Sequence, residues 1–311
     1  MKFSATHFAW LPAVALLLQG CAATPEGEVA SAPAPEIAQT QPAGRAGPAL
    51  WKVADEDTTI YLFGTVHALP KGTEWYGGPI ENALSGADEL ITEIPASAAQ
   101  DPAAQQMVMS KAMLPEGETL RDQLSDTDRA SYEAALGALG MPPAAFDPFE
   151  PWFAGMNLGV LPLMKEGYSA ESGVEAMIEK LAPADAKRAG LESLDDQINL
   201  FDGLPEDSQI AFMMVAADNI DRIVPLMKRM VAEWMEGDAD GLAELMNQGL
   251  TDQVLADALL YDRNARWADW IDTRLDSPGT VFLAVGAGHL AGSRSVQDYL
   301  ASRGLSVTRV Q

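Results

Sequence analysis

One frame occurs twice in this chain, and it limits the possible folds more than any other feature. Tyr61-Leu62-Phe63 runs into Gly64-Thr65-Val66-His67, and Leu283-Ala284-Val285 runs into Gly286-Ala287-Gly288-His289. In each, an apolar run typical of a buried strand ends on glycine, which lets the backbone turn sharply away. The histidine three residues on then projects over the carboxyl edge of a sheet, where open α/β sheets bind ligands. A single such histidine reads as a structural residue. Two in the same frame, at opposite ends of the chain, point to a shared site; the third histidine, His7, lies near the N-terminus.

The surrounding pattern supports a sheet. Residues 51–54 and 58–63 read as a hairpin split by Asp55-Glu56-Asp57, 79–87 as a helix and 89–94 as a buried strand. A short strand is expected over 187–191. Residues 280–285 form a near-continuous apolar strand between helices expected over 263–275 and 293–302, and 305–310 read as a last strand. From 103 to 250 the periodicity is mostly helical. One helix there is expected to be capped by Asp126 and to run to Leu139. Met156 to Met164 form an apolar stretch, and a long Met-rich helix over 208–234 is expected to break at Pro225. The methionines read as core filler. The fold class is therefore α/β: a mixed β-sheet flanked by helices, with a large helical insertion between the N- and C-terminal strand motifs.

Carboxylates occur at equivalent places. Glu93 follows the strand at 89–92, and Glu192 follows the one at 187–191. An ionised glutamate at an apolar strand end costs several kcal/mol unless it is paired or binds a metal. A salt bridge to Arg263 is the structural alternative, and for Glu192 both readings stand. Imidazole with carboxylate suits zinc, manganese, cobalt or iron(II) rather than copper(I). Two histidines and one glutamate would leave a coordination position open for a water whose pKa the metal lowers, with a second carboxylate as base.

The N-terminal segment reads as an address. Residues 1–20 carry Lys2 as their one charge and an apolar run over 8–18, short of the about 20 residues a membrane span needs. Leu18-Gln19-Gly20-Cys21 resembles a bacterial lipobox, which makes Cys21 the lipid-modified N-terminus of a periplasm-facing lipoprotein. Ala22 after it suggests outer-membrane retention. Residues 21–48 read as an Ala/Pro-rich tether and 49–311 as the folded part. Cys21 is the single cysteine, so neither an intramolecular disulfide nor a Cys-rich zinc site is possible. A formal charge of −25 argues against nucleic acid as partner. No Gly-x-Ser-x-Gly elbow, P-loop or His-Glu-x-x-His is present, and the glycines from Gly286 to Gly292 do not space as a dinucleotide loop.

Trp51-Lys52-Val53, the motif ending at His67, and then Glu93 together resemble the N-terminal signature of the TraB/GumN family. Arg263-Asn264 and the stretch from Val281 to Gly292 resemble its other signature, and Gly190-Leu191-Glu192 with Gln197 a third block. The resemblance implies a fold shared with Tiki proteins, erythromycin-esterase-like enzymes and ChaN-like lipoproteins. It also implies a metal held by His67, Glu93 and His289, as proposed for the metal-dependent proteases among the Tiki members. Glu93, Glu192, Arg263 and Asn264 are then the candidate catalytic groups. The expected function is a metal-dependent, peptidase-like hydrolase of the cell envelope using manganese, cobalt or zinc. Metal-activated water would attack an amide of a peptide or envelope polymer, and Arg263 or Asn264 would stabilise the oxyanion. The alternatives are a haem- or ligand-binding lipoprotein and a non-catalytic accessory of envelope or exopolysaccharide assembly.

Overall fold

The computed structural model describes residues 47–247 and 253–311. The signal segment 1–20, Cys21 and the tether as far as residue 46 lie outside the described residues.

The strands are β1 (Leu50–Ala54), β2 (Thr58–Thr65), β3 (Leu69–Pro70), β4 (Glu89–Thr92), β5 (Tyr168–Ser169), β6 (Lys187–Gly190), β7 (Gly279–Gly286) and β8 (Val307–Arg309). Six of them form one mixed sheet in the order β6-β4-β7-β2-β1-β8, and β3 pairs with β5 apart from it. β6, β4, β7 and β2 are parallel neighbours. β1 is antiparallel to both β2 and β8. The two ends of the sequence thus meet in the middle of the sheet, where β2 and β7 lie side by side.

The unbroken apolar run of β7 has a simple cause. Val281, Leu283 and Val285 face one side, with Ile60, Leu62 and Ile91 of neighbouring strands and with Trp267 and Ile271 of the helix Asp262–Leu275. Phe282 and Ala284 face the other, with Phe63, Leu90, and Ile80 and Leu84 of the helix Gly78–Ser85. A strand buried on both faces has no polar side to alternate with. Each large side chain buried in this way contributes about 1.5–3 kcal/mol.

The helical insertion builds its own core. Trp152 and Phe153 of the helix Pro151–Lys165 pack with Phe201 of Leu194–Asp202 and with Phe212 and Met213 of Glu206–Asp218. Gly155 permits that approach: a Cβ there would lie 2.9 Å from both Met213 Cα and Phe212 Cδ1. Gly155→Ala is therefore expected to destabilise the chain by about 1–3 kcal/mol. Gly137→Ala, where a Cβ meets nothing within 4 Å, is expected to stabilise it by about 0.5 kcal/mol. Urea midpoints moving in opposite directions would bear this out.

Two local expectations are corrected. The helix over 208–234 is two helices, Glu206–Asp218 and Ile223–Glu236, and the break falls at 219–222 rather than at Pro225. Pro225 sits in the first turn of the second helix, where a missing N–H breaks no intrahelical bond. The helix starting at Asp126 is capped by Ser125, whose hydroxyl accepts the Asp128 N–H at 3.1 Å. Asp126 and Asp128 instead lie in the first turn, where negative charge suits the helix dipole. No helix among the described residues is long and apolar enough to cross a membrane.

Candidate functional site at the carboxyl edge of the sheet

Because β2, β4, β6 and β7 are parallel, their carboxyl ends share one edge. Thr65 pairs with Gly286, and Thr92 with Ala284 and Gly190. His67, Glu93, Glu192 and His289 each follow one of these ends within three residues. The two glycine motifs pack on each other, since a Cβ on Gly64 would lie 3.0 Å from Ala287 Cα. Arg263 and Asn264 enter from the first turn of the helix Asp262–Leu275, which directly follows a π-helical turn, Asp257–Tyr261. Such turns recur at functional sites. All six residues expected from the sequence are therefore near one another.

Arg263 lies at the centre and is 2% exposed. Its Nη2 donates to Glu93 Oε2 at 2.6 Å and lies 2.9 Å from Glu192 Oε2. Its Nε donates to Glu192 at 3.0 Å, and its Nη1 to the Leu259 carbonyl at 2.9 Å. The remaining Nη1 contact is His289 Nε2 at 3.0 Å. Four of the five guanidinium N–H groups thereby have protein partners, and Nη2 also lies in ion-pair contact with Glu192. Glu93 also accepts the Gly286 N–H at 2.7 Å and Gln197 Nε2 at 2.9 Å. Burial acts to raise the Glu93 carboxyl, but the Arg263 charge, then His289, His67 and the Gly286 N–H, outweigh it and hold the group well below its ordinary value.

The tautomer of His289 follows from its neighbours. Asn264 Nδ2 donates to the Arg294 carbonyl at 2.8 Å, which turns Asn264 Oδ1 towards His289 Nδ1, 2.6 Å away. Nδ1 therefore carries the proton, and Nε2 accepts from Arg263. Trp267 packs on the ring at 4.3 Å between centroids and also lies under the Arg263 guanidinium at 4.6 Å. Burial first, then the Arg263 charge, push the His289 pKa well below 6.5, so the ring is neutral.

His67 has a partner that sequence reading missed. Its Nδ1 lies 2.5 Å from Glu175 Oε1, an oxygen that also accepts the Thr65 hydroxyl. Glu175 belongs to the first turn of the helix Val174–Leu181, within the helical insertion and far from any strand motif. The helix end is pressed onto the His67 turn: the Val174 N–H donates to the Val66 carbonyl at 3.0 Å, and a Cβ on Gly173 would lie 2.0 Å from the His67 carbonyl oxygen. Gly173→Ala is expected to push the helix away and weaken the His67–Glu175 pair. The His67 imidazole resonances would report this as an upfield move of its Nδ1 proton. Burial lowers the His67 pKa, but the Glu175 charge and hydrogen bond more than offset this, and the value lies above 6.5. Nε2 is buried without a hydrogen-bond partner. The His67 side chain also borders a largely apolar cleft of about 360 Å³, with Thr92, Glu93, Glu175, Gln197 and Lys180 among others.

The three expected metal ligands do not fit a metal in this arrangement. Both nitrogens of His289 are engaged, Glu93 accepts from three donors, and His67 alone presents an open lone pair. Glu93 Oε1 and His289 Nε2 lie 3.8 Å apart, and the Arg263 guanidinium is in contact with both residues. A metal ion bridging those two would sit against it, and two unit charges 4 Å apart repel by about 4 kcal/mol at an effective dielectric of 20. Among the described residues, no group of three or more His, Cys, Asp or Glu side chains is disposed to hold a metal ion.

A mixed sheet whose parallel edge gathers two imidazoles, three carboxylates and a guanidinium defines a class: an α/β protein with a buried polar site at the carboxyl end of its strands. Within that class, the chain belongs to the TraB/PrgY/gumN family, whose family model matches residues 49–309. No curated protein and no solved structure matches the chain.

Proposed function

We propose that this chain is a hydrolase in which His67 acts as general base on a water molecule in the adjoining cleft. The observation that carries the reading is the unpartnered Nε2 of His67, on a ring whose other nitrogen is held by Glu175. Glu175 accepts a hydrogen bond from Nδ1–H, which leaves the Nε2 lone pair of the neutral ring to take a proton from water, and its charge stabilises the imidazolium once formed. Water then loses a proton to Nε2 as its oxygen bonds to a carbonyl carbon. The same proton passes to the leaving nitrogen or oxygen as that bond breaks. Glu93, Glu192, Arg263, Asn264 and His289 serve this chemistry by holding the strand ends in place. The substrate class is an amide or ester of a peptide or envelope polymer, reached by a protein tethered through lipid on Cys21 at the periplasmic face of the outer membrane.

The test is turnover of p-nitrophenyl acetate and of a mixed peptide library by the full-length chain, in the presence of a chelator. Turnover that persists in chelator and is lost in His67→Ala is expected. Turnover abolished by chelator and restored by manganese, cobalt or zinc would replace this route with the metal-assisted one. Wild type no faster than His67→Ala on every substrate would remove the hydrolase reading.

A further inference from the structure

We propose that the cleft bordered by His67 takes a short peptide with small apolar residues and a carboxylate two residues beyond the scissile bond, and that Lys180 selects for that carboxylate. The proposal rests on the reading of His67 as general base, and it names the substrate class of the same site.

The helix Val174–Leu181 supplies part of the lining. Its Glu175, Ala176, Glu179 and Lys180 recur at helical spacing and all border the cleft. Ile94, Pro95 and Ala96, which follow β4, border it as well. These side chains are short and apolar, and the volume of about 360 Å³ is near the lower end of small-ligand sites. Such a lining favours small aliphatic groups beside the reacting carbonyl.

The charges in the lining are unevenly matched. Glu93 is paired with Arg263 at 2.6 Å, Glu175 with His67 at 2.5 Å and Glu179 with Arg188 at 3.1 Å. Each of these carboxylates already has its cation. Lys180 is exposed and makes no ion pair among the described residues, so its ammonium is free to meet a ligand. In a chain of formal charge −25, an unmatched cation bordering a cleft with neutralised carboxylates favours an anion there. The spacing fits a peptide. Glu175, which holds His67, and Lys180 are five residues apart, about 7.5 Å along the helix axis. An extended chain advances about 3.3–3.6 Å per residue. A carbonyl at His67 therefore brings a group two residues on, about 7 Å away, level with Lys180.

The experiment compares three peptides on the full-length chain: N-acetyl-trialanine with a free C-terminus, its C-terminal amide, and that amide with glutamate as third residue. Wild type is expected to favour a carboxylate-bearing peptide over the neutral amide by about fivefold in KM, with kcat unchanged. Whichever of the two anionic peptides is favoured tells whether a chain end or a side chain supplies the carboxylate. Lys180→Met should abolish the preference and Lys180→Glu should reverse it. Lys180 is exposed, so both variants are expected to fold. A preference absent from wild type, or retained in Lys180→Met, overturns the proposal. Turnover of none of the three counts against the His67 reading alone. Dissociation constants from calorimetry then replace KM: the same pattern of preferences supports the role of Lys180, and binding of none of the peptides overturns it.

Discussion

Arg263→Met is expected to lower stability by about 3–5 kcal/mol, the cost of leaving buried charges without their partner. For a folded part of this size, that corresponds to a fall in the thermal midpoint of about 10 °C. The size of the effect comes from what remains behind. Glu93 and Glu192 would both keep their burial while losing the cation at 2.6 and 2.9 Å. The triple substitution Arg263→Met, Glu93→Gln, Glu192→Gln is expected to recover a large part of the loss, because neutral amides need no counter-charge. The pH dependence should also change sign. In the wild type, Glu93 is held below its ordinary value of 4.5, so its contribution is fully present above that pH and is lost as pH falls through the folded value. In Arg263→Met, burial acts without the guanidinium and raises the Glu93 carboxyl above its unfolded value, so the variant gains stability as pH falls towards 5. Denaturant titrations from about pH 3 to 8 would show the two slopes, that of the wild type below its ordinary carboxyl value of 4.5 and that of the variant above it. Equal slopes would mean that the carboxylates do not depend on Arg263.

The second large effect is on turnover. His67→Ala is expected to reduce kcat/KM by about 10²–10⁴-fold, the range that a positioned general base contributes. Glu175→Gln should cost less and should act in a distinguishable way. The wild-type rate should rise with pH through a value above 6.5, since the base must be neutral and the Glu175 carboxylate favours the charged ring. With an uncharged partner, burial dominates, and the acid limb should move to lower pH while the plateau falls. Glu175→Gln with an unmoved limb and a full plateau would show that Glu175 has no part in the proton transfer. A stability effect without any kinetic one would assign the pair to folding alone.

Most of the architecture was legible in the residues. The two Gly-x-x-His frames, the apolar runs before them and the helical periodicity between them led directly to the mixed sheet and its insertion. The helix boundaries that went astray did so for local reasons: the Ser125 hydroxyl competes for the capping position expected of Asp126, and Pro225 sits where proline is tolerated. Glu175 was not legible, because nothing in the spacing of residues 172–176 relates them to β2. It is brought there by a helix packing across the sheet edge, with Gly173 small enough to touch the His67 backbone.

The sequence by itself determined which chemistry could gather at the sheet edge. Strand periodicity and terminal glycines are short-range properties, and they place His67, Glu93, Glu192 and His289 at the ends of parallel strands whatever lies beyond. What only the tertiary structure decided is how those groups are occupied. Hydrogen bonds to His289 and Glu93 depend on where the arginine side chain of a distant helix arrives, to within a few tenths of an ångström. That arrival turns an expected metal triad into a guanidinium-centred cluster and leaves His67, paired with Glu175, as the group open to the cleft. Such distances depend on the packing of the whole insertion against the sheet, which no spacing along the chain records.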